Sequence, residues 1–338
     1  MKKFAEGFKI PRYYGDFGGD YSERDTVVPL NNAQAKEFEG YLTNDNFINK
    51  FEDIIKIVEP KAIEIKEIAL PDGKRIFIAP SRAKSYALAG YLTIALERKK
   101  KKVVTGTYSK EMAEKFVYTA NKLGLYAKIC LSKALCEDTE LINSLRAQGA
   151  EVDDVTCTKM LDAPYSYINF DEGMGFDVIP VEANYGIFPR AAMTGLLASQ
   201  YGQDLKGLMK GENIDTVCVA IRTGTEAIGV MKAYEGENVK LVTVEKRISK
   251  EFHTEDAGCY TLVTRPDEYG AADISINPEI AHWWRMCKAY RLGTDRVLPM
   301  NMSIYRDLDM SNAAKRAISL VQNAIGFQNI LLVEEGQL

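Results

Sequence analysis

A chain of 338 residues with 46% hydrophobic and 27% charged side chains has room for a sizeable core in one or two domains. Its 43 basic and 47 acidic residues leave a net charge of −4, which argues against a nucleic-acid binder that works by neutralising phosphates. No apolar run approaches the roughly 20 residues of a membrane span, and Met1–Gly7 lacks the apolar stretch of a secretory signal. The predicted elements begin with a short buried strand, Ile76–Ala79, followed by an Ala- and Leu-rich helix over 84–98. The basic run Arg98–Lys102 reads as a solvated helix end suited to the C-terminal dipole, rather than as a nucleic-acid patch. A strand over 103–105, a helix over 110–123 closed by Gly124, and a strand over 127–131 come next. A helix over 137–148 and a strand over 151–155 complete a βαβ rhythm that predicts a parallel sheet covered on both faces.

Residues 156–185 hold Gly173, Gly175 and Pro180 and read as an irregular stretch between two lobes. A second alternating block follows: a helix over 190–201, a strand over 216–221, a helix over 225–234 and a strand over 240–244. Residues 254–273 read as loop-rich. Helices are expected over 280–290 and 311–325, and a last strand over 330–333. The expected fold class is α/β, with two lobes of parallel-rich sheets flanked by helices. The small lobe is expected over 51–179 and the large lobe over 1–50 and 180–338.

Six cysteines (Cys130, Cys136, Cys157, Cys218, Cys259, Cys287) form no CxxC pair, so neither a disulfide framework nor a zinc site is expected, and a reducing cytoplasmic setting is. With only His253 and His282 available, chemistry is expected to rest on Lys, Glu, Asp, Tyr or a cofactor. Lys84 stands at a strand-to-helix junction, where desolvation would make its amine nucleophilic; a solvated first-turn lysine is the alternative. The glycine turn around Arg222, Thr223, Gly224 and Thr225 opens a helix and can cradle an anion, or be a plain βα turn with Thr225 as N-cap. Glu226, just behind it, would repel a phosphate docked there. Trp283 and Trp284 beside Met286 read as packing residues.

The run Tyr13-Tyr14-Gly15-Asp16-Phe17-Gly18-Gly19-Asp20-Tyr21, followed by Val28-Pro29-Leu30, resembles the opening signature of the tryptophan synthase β-subunit family, which belongs to the fold type II pyridoxal-phosphate (PLP) enzymes. Ala83-Lys84-Ser85-Tyr86-Ala87-Leu88-Ala89-Gly90 is similar to the family's helix that opens with the Schiff-base lysine, although its histidine and asparagines are absent. Gly149-Ala150-Glu151-Val152 and Asn184–Arg190 resemble later family segments, and Arg222–Gly229 falls on its phosphate loop.

The resemblance implies PLP on Lys84, with Arg222, Thr223, Gly224, Thr225 and Ala227 around the phosphate. It puts Glu335 beside the pyridine nitrogen, where a carboxylate would favour ring protonation, unless Glu335 belongs to a frayed terminus. It puts Thr107 and Ser109 on the substrate carboxylate. The family's catalytic glutamate falls on Gly106; Glu111 is a substitute acid or base, or else a solvated first-turn acid. The implied activity is β-elimination or β-replacement on a small amino acid in a homodimer, not authentic tryptophan synthesis. The alternatives are a non-catalytic relative acting as a partner subunit and a non-covalent binder of a phosphate ligand. No metal is expected.

Overall fold

The computed structural model describes residues 37–334 except 38, 39, 42, 108, 132–134, 154–173, 180, 182–190, 222–225, 227, 228, 231, 232, 235, 236, 248–258, 264–301 and 325. The first long element is α1 (Asp45–Val58), an amphipathic helix whose apolar stripe Phe47, Phe51, Ile54 and Val58 is buried. Asn44 caps it by accepting from the backbone N–H groups of Asn46 and Phe47. β1 (Lys66–Ala69) and β2 (Arg75–Pro80) form an antiparallel pair, and α2 (Ala83–Glu97) follows. β3 (Lys102–Thr107), α3 (Lys110–Lys122), β4 (Tyr126–Leu131), α4 (Thr139–Ala147) and β5 (Glu151–Asp153) continue the alternation. Then come β6 (Asp177–Val178), α5 (Ala191–Leu208), β7 (Thr216–Ile221), β8 (Lys240–Arg247), β9 (Cys259–Val263), α6 (Asn312–Ala324) and β10 (Asn329–Glu334).

Among the described residues the strands form two sheets. The larger has the order β1-β2-β10-β7-β8-β9 and the smaller β5-β4-β3-β6. The smaller sheet is parallel throughout. In the larger, β2, β10, β7 and β8 are parallel, and β1 and β9 close the two edges antiparallel. The α/β class and the parallel-rich sheets are therefore as the alternation predicts. The expected loop-rich stretch 254–273 departs from prediction, because Cys259–Val263 pairs with β8.

α2 is buried on every side from Ala83 to Ala95, so its sequence is apolar all round rather than striped. One continuous buried cluster runs from Val103 and Ile129 of the smaller sheet, through α2, to Phe77, Val217 and Leu331 of the larger. A second cluster covers the opposite face of the larger sheet. There, Ile76, Ile78, Ile330 and Leu332 meet Ala314, Ala317, Ile318 and Val321 of α6. Both faces of the parallel strands are thus dry, which is why these strands read as continuous apolar runs.

α2 meets α5 at Gly90, where an added Cβ would lie 2.4 Å from Leu197 Cδ2. Arg98, at the end of α2, is not the solvated helix end expected of the basic run. Its guanidinium, 14% exposed, donates to Glu37 at 2.7 Å and approaches Asp177 of β6 at 3.4 Å. Burial raises the cost of its charge, and the two carboxylates more than offset it, holding its pKa above the ordinary arginine value.

Candidate functional site

In parallel pairing, the carboxyl ends of β2, β10, β7 and β8 fall on one edge of the larger sheet, the place where open α/β sheets bind ligands. Pro80 ends β2 opposite Glu334 of β10, and the Ser81 N–H donates to the Glu334 carbonyl at 2.8 Å. The chain then turns through Arg82 into α2. Lys84, the second residue of that helix, stands at this edge and is only 9% exposed. A lysine is almost never this buried without a reason.

The backbone that carries Lys84 is held from both sides. Arg82 donates to the carbonyls of Lys61 at 2.6 Å and Ala62 at 3.1 Å, and it approaches Glu59 at 3.4 Å. On the other side, the Ser85 hydroxyl donates to Glu59 at 2.6 Å. Lys115 of α3 pairs with the same carboxylate and donates to Ser85 at 3.2 Å. Glu59, which follows the last residue of α1, therefore joins the first turn of α2 to α3. This contact draws together the helix N-termini that follow the two sheets. Sequence reasoning missed Glu59 and Lys115, because neither sits in a motif and both act across long separations.

Tyr86, two positions beyond Lys84 on α2, donates to Asp204 of α5 at 2.8 Å. Its ring lies 5.6 Å from that of Tyr201, whose hydroxyl donates to the Pro80 carbonyl at the end of β2. Burial pushes the Tyr201 phenol well above its ordinary value, and the nearby Glu226 carboxylate pushes it further in the same direction. Glu226 is helical, shortly after the end of β7, and 2% exposed; its Oε2 has no hydrogen-bond partner among the described residues. Small residues set its place. A Cβ on Gly202 would lie 2.2 Å from the Gly229 carbonyl oxygen, and one on Gly229 would lie 2.5 Å from that of Ala198. Backbone approach this close is available only to glycine.

On the smaller sheet, Thr107 ends β3 fully buried. Its hydroxyl accepts from the Ser109 N–H at 3.0 Å, and Ser109 caps α3 by accepting from the Met112 N–H at 3.3 Å. Glu111, in the first turn of α3, is 63% exposed and pairs with Lys115 at 2.6 Å. Of the expected site residues, Lys84, Thr107 and Ser109 thus stand at strand ends, and Glu111 lies on the surface. Arg222, Thr223, Gly224, Thr225, Ala227 and Glu335 lie outside the described residues, as does the run Tyr13–Tyr21.

No family model matches the sequence, and no curated protein does. Among solved structures, a threonine deaminase from T.th. is similar over 85% of this chain and 96% of its own, at 17% identity and a TM-score of 0.50. The fold is that of the fold type II PLP enzymes. Serine racemase from Dictyostelium discoideum is matched over 86% of this chain and 97% of its own, at 13% identity and a TM-score of 0.49. A pyridoxal 5'-phosphate-dependent aspartate racemase is matched over 59% of this chain and 62% of its own, at 16% identity and a TM-score of 0.40.

Proteins of this fold usually bind PLP, a cofactor with an aldehyde, and among the described residues Lys84 is a group able to hold one. Lys84 puts a primary amine at the carboxyl edge of a parallel sheet, on a residue 9% exposed whose chain neighbours Arg82 and Ser85 are tied to Glu59.

Proposed function

We propose that this chain is a PLP-dependent enzyme acting on a small amino acid, by proton removal at the α-carbon followed by β-elimination or β-replacement. The observation that carries this reading is the burial of Lys84 at the strand-end edge. Lys84 would hold the cofactor through its amine. When bound, PLP supplies an electron sink for negative charge at the substrate α-carbon.

The remaining roles belong to the chain. The same Lys84 amine, once released, is the base that takes the α-proton, because it is already at the reacting centre and needs no further side chain to reach it. The N-terminus of α3, with Thr107 and Ser109, would orient the substrate carboxylate, since the helix dipole favours an anion there. The apolar body of α2 excludes water from the amine. Glu111 has no part in this reading, because its exposed carboxylate is engaged by Lys115. The reading also includes a homodimer in the cytoplasm and excludes tryptophan synthesis from indole.

The test is a titration of the purified protein with PLP. A visible absorption band is expected, together with a borohydride-fixed pyridoxyl group on Lys84 by mass spectrometry. Both are absent in Lys84→Ala. The reading fails if wild type gives no band and no adduct. Gly106 of β3, which carries no acid or base where the related family has its catalytic glutamate, favours a second reading, a non-catalytic relative serving as a partner subunit. That reading is selected if the band forms but no amino acid in a panel changes it.

A further inference from the structure

α2 begins without the usual device of a helix start. Its N-cap is Arg82, which makes no side-chain cap hydrogen bond, and its first turn holds no acid. α1, α3 and α4 are each capped by a side chain: Asn44, Ser109 and Asp138. The start of α2 is held from outside instead, and Glu59 bridges the two residues that flank its first turn. Glu59 Oε1 accepts from the Ser85 hydroxyl at 2.6 Å and pairs with Lys115, while Oε2 faces Arg82 Nε at 3.4 Å. Lys84 lies between Arg82 and Ser85 in the chain. The Glu59 side chain is 10% exposed and that of Arg82 13%, and hydrogen bonds in so dry a place are stronger than in water. Glu59 is itself fixed, because its backbone N–H donates to the Ile55 carbonyl at the end of α1 at 2.7 Å.

We propose that Glu59 is a positioning residue for Lys84. By holding the first turn of α2 through Arg82 and Ser85, it sets the direction in which the Lys84 side chain leaves the helix, and so speeds capture of an aldehyde. Capture joins the neutral Lys84 nitrogen to the aldehyde carbon, and the aldehyde oxygen departs as water with the two protons of the amine. The hold acts on the backbone, so it needs no contact between Glu59 and the amine. Placement matters steeply, since a shift of about 1 Å can cost roughly a hundredfold in rate. Removing the carboxylate strands neither cation. Arg82 keeps the carbonyls of Lys61 and Ala62, and Lys115 keeps Glu111, so Glu59→Ala is expected to fold.

This inference rests on the reading of Lys84 as the amine that holds an aldehyde, and the experiment separates the two. PLP is mixed with wild type, Glu59→Ala and Lys50→Ala. The rate at which the visible band grows and the circular dichroism of that band per unit absorbance at saturation are measured. Free PLP is achiral, so dichroism in its band reports how firmly the site orients it, and a lower stability alone does not move it in protein that remains folded. Glu59→Ala is expected to slow the band by at least about tenfold and to remove at least about half of the dichroism. Lys50→Ala cuts the tie from α1 to Glu97, about 20 Å along α2 from Lys84, and is expected to keep both within about twofold of wild type. Wild-type rate and dichroism in Glu59→Ala overturn the role of Glu59 and leave the proposed function standing, as does an equal loss in Lys50→Ala. No band and no borohydride-fixed adduct in wild type overturn the proposed function, and this inference with it. If far-ultraviolet dichroism shows that Glu59→Ala does not fold, Ser85→Ala decides, because it removes one arm of the same hold. Slower growth with weaker dichroism then supports the proposal, and wild-type values overturn it.

Discussion

Lys84 and Glu334 stand on either side of the turn that ends β2, and their surroundings treat charge differently. Lys84 is anchored through its neighbours Arg82 and Ser85, both tied to Glu59. Glu334, at the end of β10, is half-buried, and desolvation raises its carboxyl pKa above 4.5, with Lys66 opposing the shift only in part. A carboxyl whose folded pKa is raised stabilises the fold below its unfolded value and loses that contribution as pH rises through the folded value. Glu334→Gln, which mimics the neutral acid, is therefore expected to be slightly more stable than wild type at pH 7. The gap should close below about pH 4.5. Urea unfolding of both proteins at the two pH values checks this; equal midpoints at pH 7 would sink it. At this scale the sequence showed Lys84, because a lysine between a strand and an apolar helix is visible locally. It could not show Glu59, whose contact with Ser85 spans 26 positions and needs the fold first.

The helices that position the site meet through small residues. α5 presents Ala198 and Gly202 to the helical residues Gly229 and Ala233, and the chains approach until carbonyl oxygens occupy the space of absent side chains. Gly202→Ala would place a methyl 2.2 Å from the Gly229 oxygen and 2.8 Å from Ala233 Cβ, so the helices must part. Overpacking of this kind costs about 1–3 kcal/mol, read as a lower midpoint in chemical unfolding. An unchanged midpoint would mean the two helices can separate freely. Elements buried on both faces were legible because burial leaves a mark on composition: β7 appears at its predicted bounds, and α2 shifts by a single residue. Other elements left weaker marks. β1 is a short edge strand, Lys-Glu-Ile-Ala, exposed at three of its four positions, so no period of two stands out. β9 is another edge, paired among the described strands with β8 alone, in a stretch whose composition reads as loop.

At the scale of the molecule, a single buried cluster links the two sheets through α2, so an occupant at Lys84 touches the fold's main support. Anything that binds the folded chain and not the unfolded one raises its stability by mass action. At a hundredfold excess over the dissociation constant the gain is about 2.7 kcal/mol. Saturating PLP is expected to raise the thermal midpoint of wild type and to leave that of Lys84→Ala unmoved. A shift that persists in the variant would place the binding elsewhere. The architecture was readable from alternation alone, since strand–helix–strand spacing admits few topologies. The strand order was not, because pairing depends on contacts between remote segments.

β10 lies between β2 and β7, yet it is made after every other described strand. While the ribosome is still adding residues before 329, the strands on either side have no common neighbour, and each presents an open row of backbone donors and acceptors. The smaller sheet draws all its strands from residues 102–178 and has no such wait. Assembly is therefore ordered in time. The smaller sheet can set early, whereas the Lys84 edge closes only when the keystone strand arrives. Through that interval the nascent chain carries two adhesive borders that a chaperone, or a neighbouring copy, can find first.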